Sequence, residues 1–181
     1  MMRRRTLLAS VFLAALPGLA QARAQLSAAQ EVTRQRALAT AEQKALLVLF
    51  HADWCSWCRI FDRFLADPAA AGVLDRHFRI LHMRAQERTD ASKARQLPGA
   101  DELYLRYARD GAGLPFFIVL DANERPVVTS ISPKTHENIG FPVQPGELDD
   151  FQTMLKSASP AITGGEIATL RAACERAIAR R

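Results

Sequence analysis

The sequence predicts an α/β fold: a mixed central sheet of about four strands flanked by helices on both faces, with an extra helix at the C-terminus. Three observations lead there. Leu46-Leu47-Val48-Leu49-Phe50 and Phe116-Phe117-Ile118-Val119-Leu120 are continuous apolar runs of strand length, the pattern of strands covered on both sides. Between the first of these and a second strand lies a segment of helical spacing, which makes a βαβ opening. After the run at 116–120, a turn-rich connection leads to another short apolar segment, which reads as an antiparallel hairpin.

The elements follow in order. Ser27 to Lys44 is polar and alanine-rich, with Val32, Leu38 and Ala41 spaced for one face and Ser27 as the cap of a first helix. The strand at 46–50 comes next. From Cys55 the spacing turns helical, with Ile60, Phe61, Phe64 and Leu65 on one face and Pro68 marking a stop or a new start. Phe78 to Met83 is the second strand, Thr89 to Gly99 a loop or loose helix, and Asp101 to Arg109 a helix closed by Gly111 and Gly113. Asp121 to Arg125 joins the strand at 116–120 to a last strand, Val127 to Ile131. Ser132 to Gly146 is a long proline-bearing loop. Glu147 to Ala158 is a helix, Ser159-Pro160 a break, and Glu166 to Ala179 an amphipathic helix with Ile167, Leu170, Cys174 and Ile178 on one side.

With 181 residues, 49% of them hydrophobic, the chain can fill one core. Its start reads as an export tag instead. Met1 to Arg5 is basic, Leu7 to Leu19 is apolar, and Ala22-Arg23-Ala24 offers small residues for cleavage before Gln25. The apolar run, broken by Pro17 and Gly18, falls short of the about 20 residues of a membrane span. An uncleaved anchor is the alternative. The expected organisation is a signal peptide over 1–24 and one domain over 25–181, with its core at about 41–155 and a helical extension over 160–181. Periplasmic localisation follows, and Arg4-Arg5-Thr6-Leu7-Leu8 leaves the twin-arginine route open.

Removing 1–24 takes four arginines and no acid, leaving 20 basic against 19 acidic side chains, a net charge of +1 where the whole chain has +5. Nothing in the remainder asks for nucleic acid or for stable insertion in a membrane.

Three cysteines cannot all pair within one chain. Two of them form Trp54-Cys55-Ser56-Trp57-Cys58, between a strand and a helix. On a first helical turn such side chains share a face at about 5 to 6 Å, within reach of a disulfide. Cys55, at the helix N-terminus, meets unpaired N–H groups and the positive end of the helix dipole, which favour a thiolate. It is therefore the expected nucleophile and the more exposed thiol, with Cys58 the resolving thiol. Half of a zinc site is the competing reading, but no second C-x-x-C or H-x-x-x-H completes four ligands. No metal site or cofactor is expected.

Phe50-His51-Ala52-Asp53-Trp54-Cys55-Ser56-Trp57-Cys58, together with Gly113-Leu114-Pro115-Phe116-Phe117-Ile118-Val119-Leu120-Asp121, resembles the thioredoxin superfamily, closest to an exported branch with a W-C-x-W-C active site. The resemblance covers roughly 41–155 and implies a thioredoxin-like fold. It also implies that Pro115 is a cis-proline beside the dithiol, and that Leu114 and Trp54 line a substrate groove. Trp57, between the cysteines, is a candidate for shielding the disulfide or binding substrate. Trp57 has a blander reading, a cap on the apolar surface around the pair. The chain departs from many thioredoxins in carrying Leu49, six residues before Cys55, where they have a buried Asp.

His51 is a candidate for proton transfer, against the ordinary role of a packed histidine. Asp53 reads as a solvated loop charge, and Cys174 as a buried, inert thiol rather than an intermolecular partner. The expected function is reduction or exchange of disulfides in exported proteins, with electrons from an inner-membrane donor. A soft-metal (copper) handling module and a redox-silent binding domain are the alternatives.

Overall fold

The computed structural model describes residues 25–108, 111–121 and 124–180. The expected signal peptide at 1–24 lies outside the described residues, as do Arg109 and part of the connection after Asp121. In chain order the elements are α1 (Ala28–Ala41), β1 (Ala45–His51), α2 (Ser56–Leu65), α3 (Pro68–His77), β2 (Phe78–Arg84) and α4 (Asp90–Lys93). They continue with α5 (Ala100–Tyr107), β3 (Phe116–Leu120), β4 (Pro126–Thr129), α6 (Pro145–Ala158) and α7 (Gly164–Ala179).

The sheet order is β2-β1-β3-β4. β1 runs parallel to β2, with Leu49 opposite His82, and antiparallel to β3, with Leu49 also opposite Phe117. β3 and β4 form the expected hairpin. Because side chains alternate across a strand, Leu47 and Leu49 join Ile60, Phe61 and Phe64 of α2, Phe151 of α6 and Leu170 of α7 on one face. Leu46, Val48 and Phe50 join Val32 of α1 and Leu103 and Tyr104 of α5 on the other. The thioredoxin-like α/β architecture stands as expected, with α7 as its extra C-terminal helix. Among the described residues no helix is long and apolar enough to cross a membrane.

Local boundaries differ for identifiable reasons. The helical stretch after Cys55 is two helices, since Asp67 accepts from Ala69 N and Ala70 N and Pro68 occupies the first turn of α3. The buried stripe of α1 is Ala28, Val32 and Ala39; Leu38 and Ala41 are exposed. The last strand starts at Pro126 and ends at Thr129, and Ile131 makes only an isolated bridge to Asn138. The segment after Thr89 holds one helical turn, α4, closed by a capping box between Thr89 and Ser92.

α7 lies against α2 and α3. Arg176 donates two hydrogen bonds to Asp67 at 2.9 and 3.0 Å, and Arg76 of α3 reaches Glu166 at 2.8 Å. Thr163 and Glu166 close a capping box at its start.

Candidate active site

β1 delivers the chain to Ala52, and a tight turn in which Cys55 N donates to Ala52 O at 3.1 Å places Cys55 as the N-cap of α2. Its backbone is extended, and its Sγ accepts the N–H of Cys58 at 3.0 Å. An N-cap side chain takes up a backbone donor that the helix leaves unpaired. Here that side chain is sulfur. Cys55 and Cys58 are joined in a disulfide with their Cα atoms 5.3 Å apart. They are 3% and 2% exposed, packed with Ala52 and against Leu114. In this oxidised form Leu114 and Ala52 pack against both sulfurs, and the expected greater exposure of Cys55 concerns the reduced pair.

The loop before β3 closes the site from the other side. The Leu114–Pro115 peptide bond is cis, Pro115 is buried and Leu114 half-buried. Trp54 and Trp57 flank the pair, 40% and 38% exposed. The Trp54 indole donates to Gln86 O at 2.7 Å, and the Arg88 guanidinium stacks 3.5 Å from its ring centre.

Asp53 is an exposed loop charge, as expected, but a paired one. Its carboxylate is held by Arg84 at 2.6 Å and by Arg95, and its N–H donates to Oε1 of the buried Glu87 at 3.0 Å. These partners come from β2 and the segment after it, so nothing within the motif announces them. His51, at the end of β1, is half-buried and packs edge to face on His82 at 5.5 Å. Burial first, and the neighbouring His82 second, push its pKa below the ordinary histidine value.

Cys174 is fully buried in α7, and burial pushes its thiol up to about 12. Among the described residues no three His, Cys, Asp or Glu side chains converge as metal ligands would.

Sequence reasoning missed two residues around Pro115. Asn138, in the loop after β4, donates from its amide to the carbonyls of Ala112 and Pro115 at 3.0 Å each and of Gly113 at 3.3 Å. Tyr104 of α5 donates its hydroxyl to Gly113 O at 3.2 Å.

A disulfide at the start of the helix after the central strand, facing a cis-proline loop, defines a thioredoxin-fold protein bearing a redox-active pair, consistent with oxidoreductase activity. The chain belongs to the Thioredoxin-like family, whose model matches residues 27–122, from α1 through the end of β3.

No curated protein matches the sequence. Solved structures similar to it include a disulphide isomerase from Xylella fastidiosa Temecula1, at 21% identity over 65% of this chain and 80% of that one, with a TM-score of 0.45. A thioredoxin from Thermus thermophilus is 25% identical over 54% of this chain and 68% of its own, with a TM-score of 0.40. A thiol:disulfide interchange protein from Bacteroides sp. is 18% identical over 71% and 81%, with a TM-score of 0.41.

The narrower resemblance is corrected. The family that matches is the broad Thioredoxin-like one, and the signature it supports is the Cys55–Cys58 pair as C-x-x-C. Trp54 and Trp57 flank that pair, but they do not assign the chain to an exported W-C-x-W-C branch.

Proposed function

We propose that the protein is a periplasmic thiol-disulfide oxidoreductase that reduces or exchanges disulfides in exported proteins. One observation carries the assignment of roles: Cys55 Sγ caps α2 and accepts the Cys58 N–H at 3.0 Å. In the reduced protein the same N–H and the helix dipole favour a Cys55 thiolate, bringing its pKa below the about 8.5 of a free thiol.

That thiolate attacks one sulfur of a client disulfide, and the other client sulfur leaves and takes a proton. Cys58, deprotonated, then attacks Cys55 Sγ, closing the Cys55–Cys58 disulfide and releasing the second client thiol. Two electrons pass to the client. Trp54, Trp57, Leu114 and Pro115 form the rim that receives it. His51, packed on His82, is given no step. Export is supported by the basic start and apolar run before Gln25, and repeated turnover as a reductant requires a dithiol donor from the inner membrane.

The test is turnover of a protein disulfide with wild type, Cys55→Ser and Cys58→Ser. Wild type should accelerate reduction by a small dithiol, Cys55→Ser should not, and Cys58→Ser should accumulate a mixed disulfide through Cys55. An adduct through Cys174, or no acceleration by wild type, would overturn the proposal.

A further inference from the structure

We infer that Asn138 is a positioning residue for client recognition: it locks the cis-proline loop so that the main-chain groups of Leu114, beside the dithiol, face an incoming strand. The inference rests on the dithiol reading above, but its observations are separate. Asn138 belongs to the 130–144 loop, anchored by the Ile131 bridge and by Ile139 N donating to Ser130 O at 2.9 Å. Its Nδ2 faces three carbonyls, those of Ala112, Gly113 and Pro115, while its Oδ1 accepts Gly140 N at 3.0 Å. Three acceptors on one side and a donor on the other fix which way the amide points. Tyr104 adds a second donor to Gly113 O from the opposite element.

The carbonyls at 112, 113 and 115 are thus taken by side chains. Among the described residues Leu114 N–H and C=O make no hydrogen bond, and Leu114 is the residue packed against Cys55 and Cys58. A main-chain donor and acceptor both left open at the residue packed on a reactive sulfur are what an extended client segment needs to pair with. Rotation of that peptide would misalign the client disulfide with Cys55, and a misplacement of this kind lowers rate steeply. Asn138 touches no reacting atom; it acts through Leu114.

The experiment compares reduction of a folded protein disulfide with that of a small-molecule disulfide, using the full chain with Asn138→Ala. The ratio of protein to small-molecule kcat/KM should fall about ten- to hundredfold, with the loss in kcat for the protein disulfide as well as in its KM. Tyr104→Phe, which keeps the ring packed on Phe50 and Phe116, should lower the same ratio by about threefold, the weight of a single neutral hydrogen bond. It is the deciding variant if Asn138→Ala loses its cooperative melt. Equal losses on both substrates, or no loss on either, would overturn the positioning role while leaving the dithiol reading intact. Absence of wild-type turnover on the protein disulfide would remove both.

Discussion

Each of the three sulfurs has its own surroundings. Cys55 accepts a backbone N–H at the start of α2, and Cys58 lies one turn in, whereas Cys174 is enclosed by apolar side chains of α7 and its neighbours. With a pKa pushed up to about 12, Cys174 carries a thiolate fraction of roughly one part in 10⁵ at neutral pH, and the thiolate is the reactive form. Brief alkylation of the reduced, folded protein followed by peptide mapping should label Cys55 first and Cys174 only after denaturation. Labelling of Cys174 at a rate comparable with Cys55 would sink this.

The pair was legible in the sequence because its chemistry is local, two thiols on one helical turn. The ion pairs of Asp53 were not legible because Arg84 and Arg95 lie 31 and 42 residues further along. Asn138 was invisible for the same reason, its acceptors standing 23 to 26 residues before it. Glu87 was missed as well, since a lone acid after a strand gives no sign that its side chain will be buried under the Asp53 amide.

Between elements, the attachment of α7 to the loop before α3 and to α3 itself depends on two carboxylates. Hydrogen bonds from Arg176, and then from the Ala70 and Ala69 amides, hold Asp67 at about 2. The Thr163 N–H, and then Arg76, hold Glu166 at about 2. Unfolded, such groups titrate near about 3.9 and 4.3. A depressed folded pKa gives stability that is complete above the unfolded value and lost as pH falls through the folded one. The contribution is therefore present at neutral pH and fades between about pH 4 and pH 2.

Urea midpoints of wild type and Arg176→Ala should differ at pH 7 and converge as pH approaches the lower end of that window. A gap that stays constant from pH 7 down to pH 2 would show that the Asp67 pair contributes nothing. The start of α3 was within reach of the sequence, since Asp67-Pro68 is a cap followed by a first-turn proline. The one turn of α4 was not, because four residues give no period.

On the scale of the whole molecule, the face beneath α2 is filled by aromatic rings. Phe61 meets Phe64, Phe117, Phe141 and Phe151 at centroid distances of 5.4 to 6.4 Å, and it is fully buried. Phe61→Ala should lower unfolding free energy by about 3 to 5 kcal/mol, while Leu105→Ala, at an exposed position, should change it by less than about 0.5 kcal/mol. Urea denaturation of both variants checks this, and a Phe61→Ala cost no larger than that of Leu105→Ala would contradict the packing described. The layering was legible because unbroken apolar runs mark doubly covered strands. The place of Phe141 in this cluster was not, since it arrives on an irregular loop where no periodicity points inward.

The outer rims of the sheet have a consequence for how molecules meet. β4 spans only Pro126–Thr129 and begins with a residue that has no N–H to offer, while β2 carries Arg79, His82 and Arg84 along its length. Short, proline-bearing or charged borders are poor templates for adding a strand from a second chain. Lateral growth into multi-chain sheets by strand addition is therefore disfavoured at both edges of the sheet.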